Sequence, residues 1–560
     1  MIRRLFRLVN RGWQGMHEAA LLLGLFSLVS QLIGLFRDRL LADMIGPSAT
    51  LDIYYAAFQI PNFIYISIAS LASITVLMPF MISRMSESGR ESARAFFNDV
   101  LSGFLLVLTL ASIGVFIFMP KLAKVVAPGF TPEATETLIW MSRVMLLSPV
   151  FLGISNLVGT VTQILRKFFI FALSPIFYNL GIIFGILVLY PRYGIRGLGI
   201  GVALGALMHL LVQLPTLVSA GFTPKLSARL RKSSLKEVVT LSLPRTLGVS
   251  MNSIALLVII SIASTLDDGA ISIFNFALNL ETTPVGIIGI SYAVASFPLL
   301  SETFAQGKRE LWESHIFSAL RQIIFWSLPI TALFIVLRAH IVRITLGTGA
   351  FSWTDTRLTA AAFALFSIGL VGQSIIHVSV RAFYSAHDTR RPLYINIFSS
   401  TMLVVLALGL SRAFTTIPAF RDFVESALRV EGLPGTEVLM LPLAYSLGTL
   451  FNAWMQWFNL KRFYVKTTGA ITRAIVQNGV AAIALGLASY LTLQIVAQVT
   501  GVPTFWTVFF EAFVSASVGV IVAVIVLVLF KNEQLAYLYS ALKQKFWKTD
   551  LVHPEQKPEA

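Results

Sequence analysis

The chain has 560 residues, 56% of them hydrophobic and only 12% charged, with a formal net charge of +16. A mean hydropathy of +0.79 excludes an ordinary water-soluble protein, and the apolar runs recur end to end at the roughly 20 residues a helix needs to cross a bilayer. That leaves no length for a soluble catalytic domain.

Residues 1–16 come first. Ile2, Leu5, Phe6, Val9 and Trp13 fall at helical spacing, with Arg3, Arg7 and Arg11 on another face. This predicts an amphipathic helix lying on an anionic leaflet. Fourteen spans follow, near 19–44, 50–82, 97–119, 137–162, 168–190, 197–219, 238–265, 270–301, 316–337, 357–384, 391–411, 438–460, 472–496 and 505–530. No strand-like alternation persists, so helices must satisfy the backbone in lipid. The first run could pass for a signal peptide, but no small-residue cleavage site follows it. Residues 531–560 predict a cytoplasmic tail, with Leu535, Leu538, Leu542 and Phe546 interleaved among Lys543, Lys545 and Lys548, then a disordered polar end over 549–560.

The positive charge is distributed by loop. Arg84, Arg90 and Arg94 form one cluster, followed by Arg166 with Lys167, Lys225 to Lys236, Lys308 with Arg309, Arg390 with Arg391, and Lys461 to Lys466. These occupy alternate connections, while the intervening ones are poorer in cations or contain acids, as at Asp267-Asp268. The pattern is positive-inside bias, not a nucleic-acid surface, and it predicts both termini in the cytoplasm. With no cysteine in the chain, disulfide and thiol chemistry are excluded.

An internal repeat organises the spans. Pro175 stands four residues before Asn179, and Pro392 four before Asn396, an offset of 217 residues. Pro61 and Pro79 in span two echo Pro284 and Pro298 in span eight. Gly205 and Gln213 in span six match Gly448 and Gln456 in span twelve, the long loop Arg412–Glu437 absorbing the larger offset. The predicted fold class is therefore an all-α polytopic membrane protein of fourteen transmembrane helices. Two six-helix lobes (17–222 and 237–462) are followed by a helix pair (472–530). Such repeats place a substrate site at the lobe interface, lined by interrupted helices; Pro61, Pro284 and Gly286–Gly289 are the expected interruptions. Gly197, Gly201 and Gly205 at four-residue spacing predict close helix packing. GLGIGVALG is no dinucleotide loop, since no strand precedes it.

No phosphate-binding Gly-rich loop, HExxH or clustered metal-ligand set is present, so no catalytic residue, cofactor or metal site is expected. His209, His315 and His377 are scattered and predict packing or hydrogen-bonding roles. A membrane enzyme would want a carboxylate pair at a membrane face; Asp267-Asp268 is the only adjacent pair and reads as a solvated turn. What remains is a set of ionisable residues within the spans: Arg37, Asp38, Arg39, Asp52, Arg143, Arg245, Glu281 and Arg381. Such residues face a cavity or a partner, or snorkel from helix ends. Arginine suits a diphosphate because its planar fork keeps its charge when desolvated. Arg37 and Arg245 are expected to enter one cavity from spans one and seven. Arg39 is expected near its rim, with Asp52 or Glu281 holding one arginine by a salt bridge. Glu281 is also a candidate proton or cation site, while Arg143 and Arg381 predict structural pairing.

Several stretches resemble the MurJ (MviN) lipid II flippases of the multidrug/oligosaccharidyl-lipid/polysaccharide exporter superfamily. They are IGLFRDRLLADMIG with DIYYAAFQIPN, VVAPGF, LVGTVTQILRKF with SPIFYN, LLVQLP, LGVSMNSI, FPLLSETFAQG and, most specifically, RAFYSAHDTRRP at 381–392. The resemblance spans nearly the whole chain. It implies a non-enzymatic flippase of the bacterial cytoplasmic membrane, carrying a lipid-linked peptidoglycan precursor (lipid II) outward by alternating access. A cationic cavity would take the diphosphate, and a groove at the last two helices the lipid tail. Arg37, Asp38 and Asp52 match the family pattern. Gln31, Tyr65-Ile66 and Asn279 stand where the family has cavity arginines, and Ser70-Leu71 where it has Glu-Gly. The expected substrate-binding set is Gln31, Arg37, Arg39, Asp52, Arg245, Asn279 and Glu281. The expected coupling is to membrane potential or an ion gradient, and the expected partners are lipid II and anionic lipids, with the protein a monomer. Export of another polyprenyl-linked oligosaccharide, drug or cation antiport, and a transport-inactive scaffold remain the alternatives.

Overall fold

The computed structural model describes residues 16–69, 74–165, 167–219, 221–222, 225, 232–465, 469–500 and 504–547. The amphipathic segment expected over residues 1–16 and the polar end 549–560 lie outside them, apart from Met16, which opens the first helix. Every regular element among the described residues is helical: besides the short segments Gly185–Leu189, Tyr190–Tyr193, Leu214–Ser219, Gly286–Ile290 and Thr436–Leu439 there are 19 helices. In order they are α1 (Met16–Met44), α2 (Ala49–Ala69), α3 (Ile74–Glu87), α4 (Gly89–Val126), α5 (Pro132–Met145), α6 (Leu147–Ile164), α7 (Phe168–Phe184), α8 (Ile195–Leu211) and α9 (Lys232–Ala263). There follow α10 (Ala270–Val285), α11 (Ser291–Ala305), α12 (Arg309–Leu346), α13 (Trp353–Ser385), α14 (Arg390–Thr416), α15 (Pro418–Leu428), α16 (Met440–Phe463), α17 (Gly469–Val499), α18 (Phe505–Leu529) and α19 (Glu533–Trp547). Among the described residues, 12 helices are long and apolar enough to cross a membrane. They coincide with the predicted spans three to fourteen; α1 and the α2–α3 stretch occupy the first two.

One expectation about irregular backbone needs correction. Helix α2 runs through Pro61 without a break, because a proline mid-helix costs only local hydrogen bonding that neighbours in a membrane bundle can restore. In span eight the expected interruption is present: a π turn, Gly286–Ile290, begins two residues after Pro284. The loop Arg412–Glu437 is partly helical: α14 continues to Thr416 and Pro418 opens α15 at its N-terminus, where the missing N–H is no loss.

Contacts divide the chain into two compact units, one of Met1–Thr283, Thr345–Phe366 and Asp388–Asn452, the other of Pro284–Ile344, Ser367–His387 and Ala453–Ala560. In the first, the repeat is visible as recurring contacts. Asn179 of α7 reaches the backbone oxygen of Ser30 on α1 at 3.5 Å, and its counterpart Asn396 of α14 reaches that of Gly248 on α9 at 3.4 Å. Gly205 lets α8 approach α7, since a Cβ there would lie 2.4 Å from the Tyr178 carbonyl oxygen; a Cβ at Gly448 would lie 2.8 Å from Leu403 of α14. The predicted small-residue packing is present: Gly181 meets Gly205 and Gly185 meets Gly201 backbone to backbone. His209 serves as expected, its Nδ1 2.7 Å from Ser155 Oγ.

The second unit packs Trp312, Ile316, Leu320, Phe383 and Leu460 into a core, with the Trp312 indole N–H donating to Ser385 Oγ at 2.9 Å. Helices α17 and α18 form its terminal hairpin. Gly519 sits against Ser489 and Leu485, and the Asn532 side chain accepts from the Gln534 and Leu535 N–H groups to start α19.

Candidate functional site: a buried polar cluster and a lock of turns

Six of the seven predicted site residues are located within the first unit by their polar contacts or their burial. On α1, the Arg37 guanidinium donates to Asp38 Oδ1 from both Nε (2.9 Å) and Nη2 (2.7 Å). Its Nη1 donates to Asn179 Oδ1 at 3.1 Å. Asp38 is 3% exposed, and its other oxygen accepts from Asn279 Nδ2 of α10 at 3.0 Å. One carboxylate thus ties α1 to α10 while neutralising the arginine beside it. A charge-assisted, two-point pair of this kind is the geometry that makes burial of an ion tolerable. The expectation is corrected for Asp52, which holds no arginine: Arg37 pairs with its chain neighbour, because adjacent residues at this point of α1 let the fork fold back onto the carboxylate.

Asp52 does something else. Its carboxylate accepts from the Gly269 N–H (2.8 Å), the Ser272 N–H (2.7 Å) and the Ser272 hydroxyl (2.6 Å). These are donors at the start of α10 that no helical carbonyl can reach, so Asp52 caps α10 from another helix and meets the positive end of its dipole. Arg39 also reaches a turn on this face of the unit. Its Nη1 donates to the Thr345 carbonyl at 3.3 Å, in the last turn of α12, where a cation is favoured.

The turns themselves close this face. Gly269 has φ +90° and a Cβ there would meet Pro47 at 3.0 Å; Gly46 has φ +67° and a Cβ would meet the Ala350 oxygen at 2.8 Å. Both need a left-handed backbone and no side chain. The Ala350 N–H donates to the Asp43 carbonyl at 2.8 Å. The turns α1–α2, α9–α10 and α12–α13 therefore lock through backbone contact.

Gln31, a further α1 residue, has a buried Oε1 without a hydrogen-bond partner. Glu281 is fully buried and interacts electrostatically with Tyr445. Arg245 lies on α9, but its side chain lies outside the described residues. The structure thus brings Arg37, Asp38 and Asn279 together, and puts Asp52 and Arg39 in the turn lock. Asn179 was singled out by the repeat, not as a site residue; a polar amide on an otherwise apolar α7 was the signal that could have found it. Tyr65, where the resemblance implies an arginine, accepts from Asn156 Nδ2 at 2.8 Å beside a small cavity of about 50 Å³. Arg143 and Arg381 pair structurally as expected, donating to the Phe116 and His377 carbonyls. Among the described residues no group of three or more His, Asp or Glu side chains could hold a metal.

Comparison with known proteins points one way. A family model described as lipid II flippase MurJ matches residues 41–514. The probable lipid II flippase MurJ of Buchnera aphidicola subsp. Schizaphis graminum is 28% identical over 380 residues, 67% of this chain and 74% of that one. That of Vibrio cholerae serotype O1 is 25% identical over 531 residues, 86% of this chain and 96% of its own. Among solved structures, a lipid II flippase MurJ in an inward closed conformation superposes with a TM-score of 0.72 at 20% identity, covering 92% of this chain and all of that one. An inward-facing multidrug resistance MATE family transporter follows at 0.60 and 16%, with 78% and 96% covered. At these identities the two structures speak for the fold.

Proposed function

Because this chain belongs to the lipid II flippase MurJ family, we propose that it carries lipid II across the bacterial cytoplasmic membrane by alternating access, without chemically changing it. The observation that carries the reading beyond membership is the Arg37–Asp38–Asn279 cluster, a half-buried forked cation within spanning helices, held by a buried carboxylate that bridges α1 and α10. A diphosphate entering the bundle offers the same two-point geometry as Asp38 and can take its place on the guanidinium. Arg245 supplies the second cation, and Gln31 and Asn279 supply neutral polar contacts. Arg39 and Asp52 act on the turn lock, opening and closing one face, and Glu281 is the proton or cation site that couples the cycle to membrane potential or an ion gradient.

The two six-helix lobes, 17–222 and 237–462, alternate about this site, with 472–530 beside the lipid tail and both termini cytoplasmic. On this reading the lock of turns lies on the outer face. The protein works as a monomer, and its terminal segments rest on anionic lipids. A second reading, export of a different polyprenyl-linked oligosaccharide or antiport of a drug or cation, draws on Gln31, Tyr65 and Asn279 in place of implied arginines.

Complementation decides between them. The chain should restore growth to bacteria depleted of their own lipid II flippase, and Arg37→Ala should abolish rescue while membrane insertion persists. Failure of the wild-type chain to rescue at normal membrane abundance would overturn the lipid II assignment in favour of the second reading.

A further inference from the structure

A cavity of about 660 Å³ lies between α4 and the α5–α6 pair and contains none of the residues of the polar cluster. Its volume is that of a site for a small amphiphile. The wall residues Ile113, Phe116 and Leu147 are 51%, 47% and 50% exposed, and α4 continues the apolar surface through Leu106, Leu110 and Ile117. In a helix of spanning length this surface faces acyl chains, so the cavity opens sideways into the membrane.

Its mouth is cationic. Arg143, in the last turn of α5, donates from Nε to the Phe116 carbonyl at 3.1 Å and stacks 4.5 Å over the Phe116 ring. Its two terminal nitrogens make no hydrogen bond among the described residues. Exposed Arg196 stands 5.3 Å over the ring of Trp140, itself a wall residue. About one helical turn deeper, Ser112 is 9% exposed and its hydroxyl has no hydrogen-bond partner. Glu133 and Glu136 lie earlier on α5, and neither forms an ion pair with Arg143 or Arg196. Two guanidinium groups flanking a tryptophan, a lone hydroxyl beneath them and an apolar slot below follow the polarity of a phospholipid from phosphate to ester to chain.

We propose that this groove holds one anionic glycerophospholipid, its phosphate between Arg143 and Arg196, Ser112 facing an ester carbonyl and one acyl chain in the slot beside Leu147 and Val150. In the orientation proposed above the lipid comes from the outer leaflet. Arginine's terminal nitrogens offer a phosphate paired donors that a zwitterionic headgroup partly satisfies within itself.

The full-length chain, purified and placed in nanodiscs of zwitterionic phospholipid doped with an anionic phospholipid bearing a photoreactive acyl chain, tests this. Native mass spectrometry should find one retained anionic lipid, with the photolabel on 109–116 or 140–150. Arg143→Gln combined with Arg196→Gln should lower the preference for anionic over zwitterionic lipid about tenfold, and the corresponding double Lys variant should keep most of it. Val150→Trp, or Ile113→Trp on the exposed rim if the former fails to fold, should remove the label for both lipid types. Equal retention of anionic and zwitterionic lipid by the wild type, a label spread evenly along the apolar belt, or cross-links to a second copy through these residues would each overturn the proposal.

Discussion

The cap that Asp52 places on α10 gives the most direct quantitative prediction. Replacing Asp52 by Ala removes the acceptor for two backbone N–H groups and one hydroxyl, all within 2.8 Å. Hydrogen bonds to a charged group contribute about 1.5–3 kcal/mol each. Desolvation of the buried carboxylate offsets several kcal/mol of that sum, while the helix dipole returns up to about 2 kcal/mol. The closed arrangement of turns is therefore favoured by Asp52 by about 2–4 kcal/mol, a roughly 30- to 1,000-fold bias. Once the turns part, water satisfies the freed donors, so the loss falls on the closed state alone. The chain has no cysteine, which makes a single Ala56→Cys a clean reporter: Ala56 lies one turn beyond Asp52 on α2 and is fully buried. Its rate of modification by a membrane-impermeant maleimide applied from the turn side should rise by that factor in Asp52→Ala, and less in Asp52→Asn, which keeps one acceptor. An unchanged rate in a variant that melts like the parent would refute the lock.

Three further outcomes are expected. Gly269→Ala should lower the melting temperature in detergent, because φ +90° and the 3.0 Å approach to Pro47 leave an alanine strained by about 1–2 kcal/mol. Gly205→Ala should destabilise more than Gly448→Ala in the same measurement, since the first Cβ would strike a backbone oxygen at 2.4 Å and the second the Leu403 Cβ at 2.8 Å, a shallower overlap; overpacking of this kind costs about 1–3 kcal/mol. Arg37→Lys should retain part of the transport that Arg37→Ala loses in the complementation assay, because an ammonium keeps the charge without the fork that meets Asp38 and Asn179 together.

The spans, their helical nature and the repeat were legible because they rest on hydropathy and on residues with backbone consequences. Pro175 and Asn179 with Pro392 and Asn396 marked equivalent helices, and the amides make equivalent contacts to α1 and α9. The identity of the ionisable residues was legible too, but not their partners. Sequence distance hides that Asp52 lies beside Ser272, 220 positions away, whereas the opposite charges of Arg37 and Asp38 stand side by side in the chain. The lock of turns was illegible for a different reason: apart from Asp52 and Arg39 it is made of N–H and C=O groups and of glycines, which carry no side-chain signal. Whether Pro284 breaks its helix depends on how neighbouring helices absorb the missing donor, and the π turn over Gly286–Ile290 is a tertiary answer that the sequence does not spell out.

The pairing of Arg37 with Asp38 carries a consequence for the economy of a transport cycle. A bare guanidinium waiting in a bundle would bind any anion tightly and release it slowly. Here the cation has a tethered rival: under the proposed function an anionic cargo would have to displace Asp38, and Asp38, adjacent in the chain, would be present at high effective concentration to displace the cargo in turn. Affinity is then set by the difference between two similar two-point contacts, not by either alone. A carrier built on that exchange gives up tight binding and gains a fast off-rate, with its own carboxylate acting as the eluent.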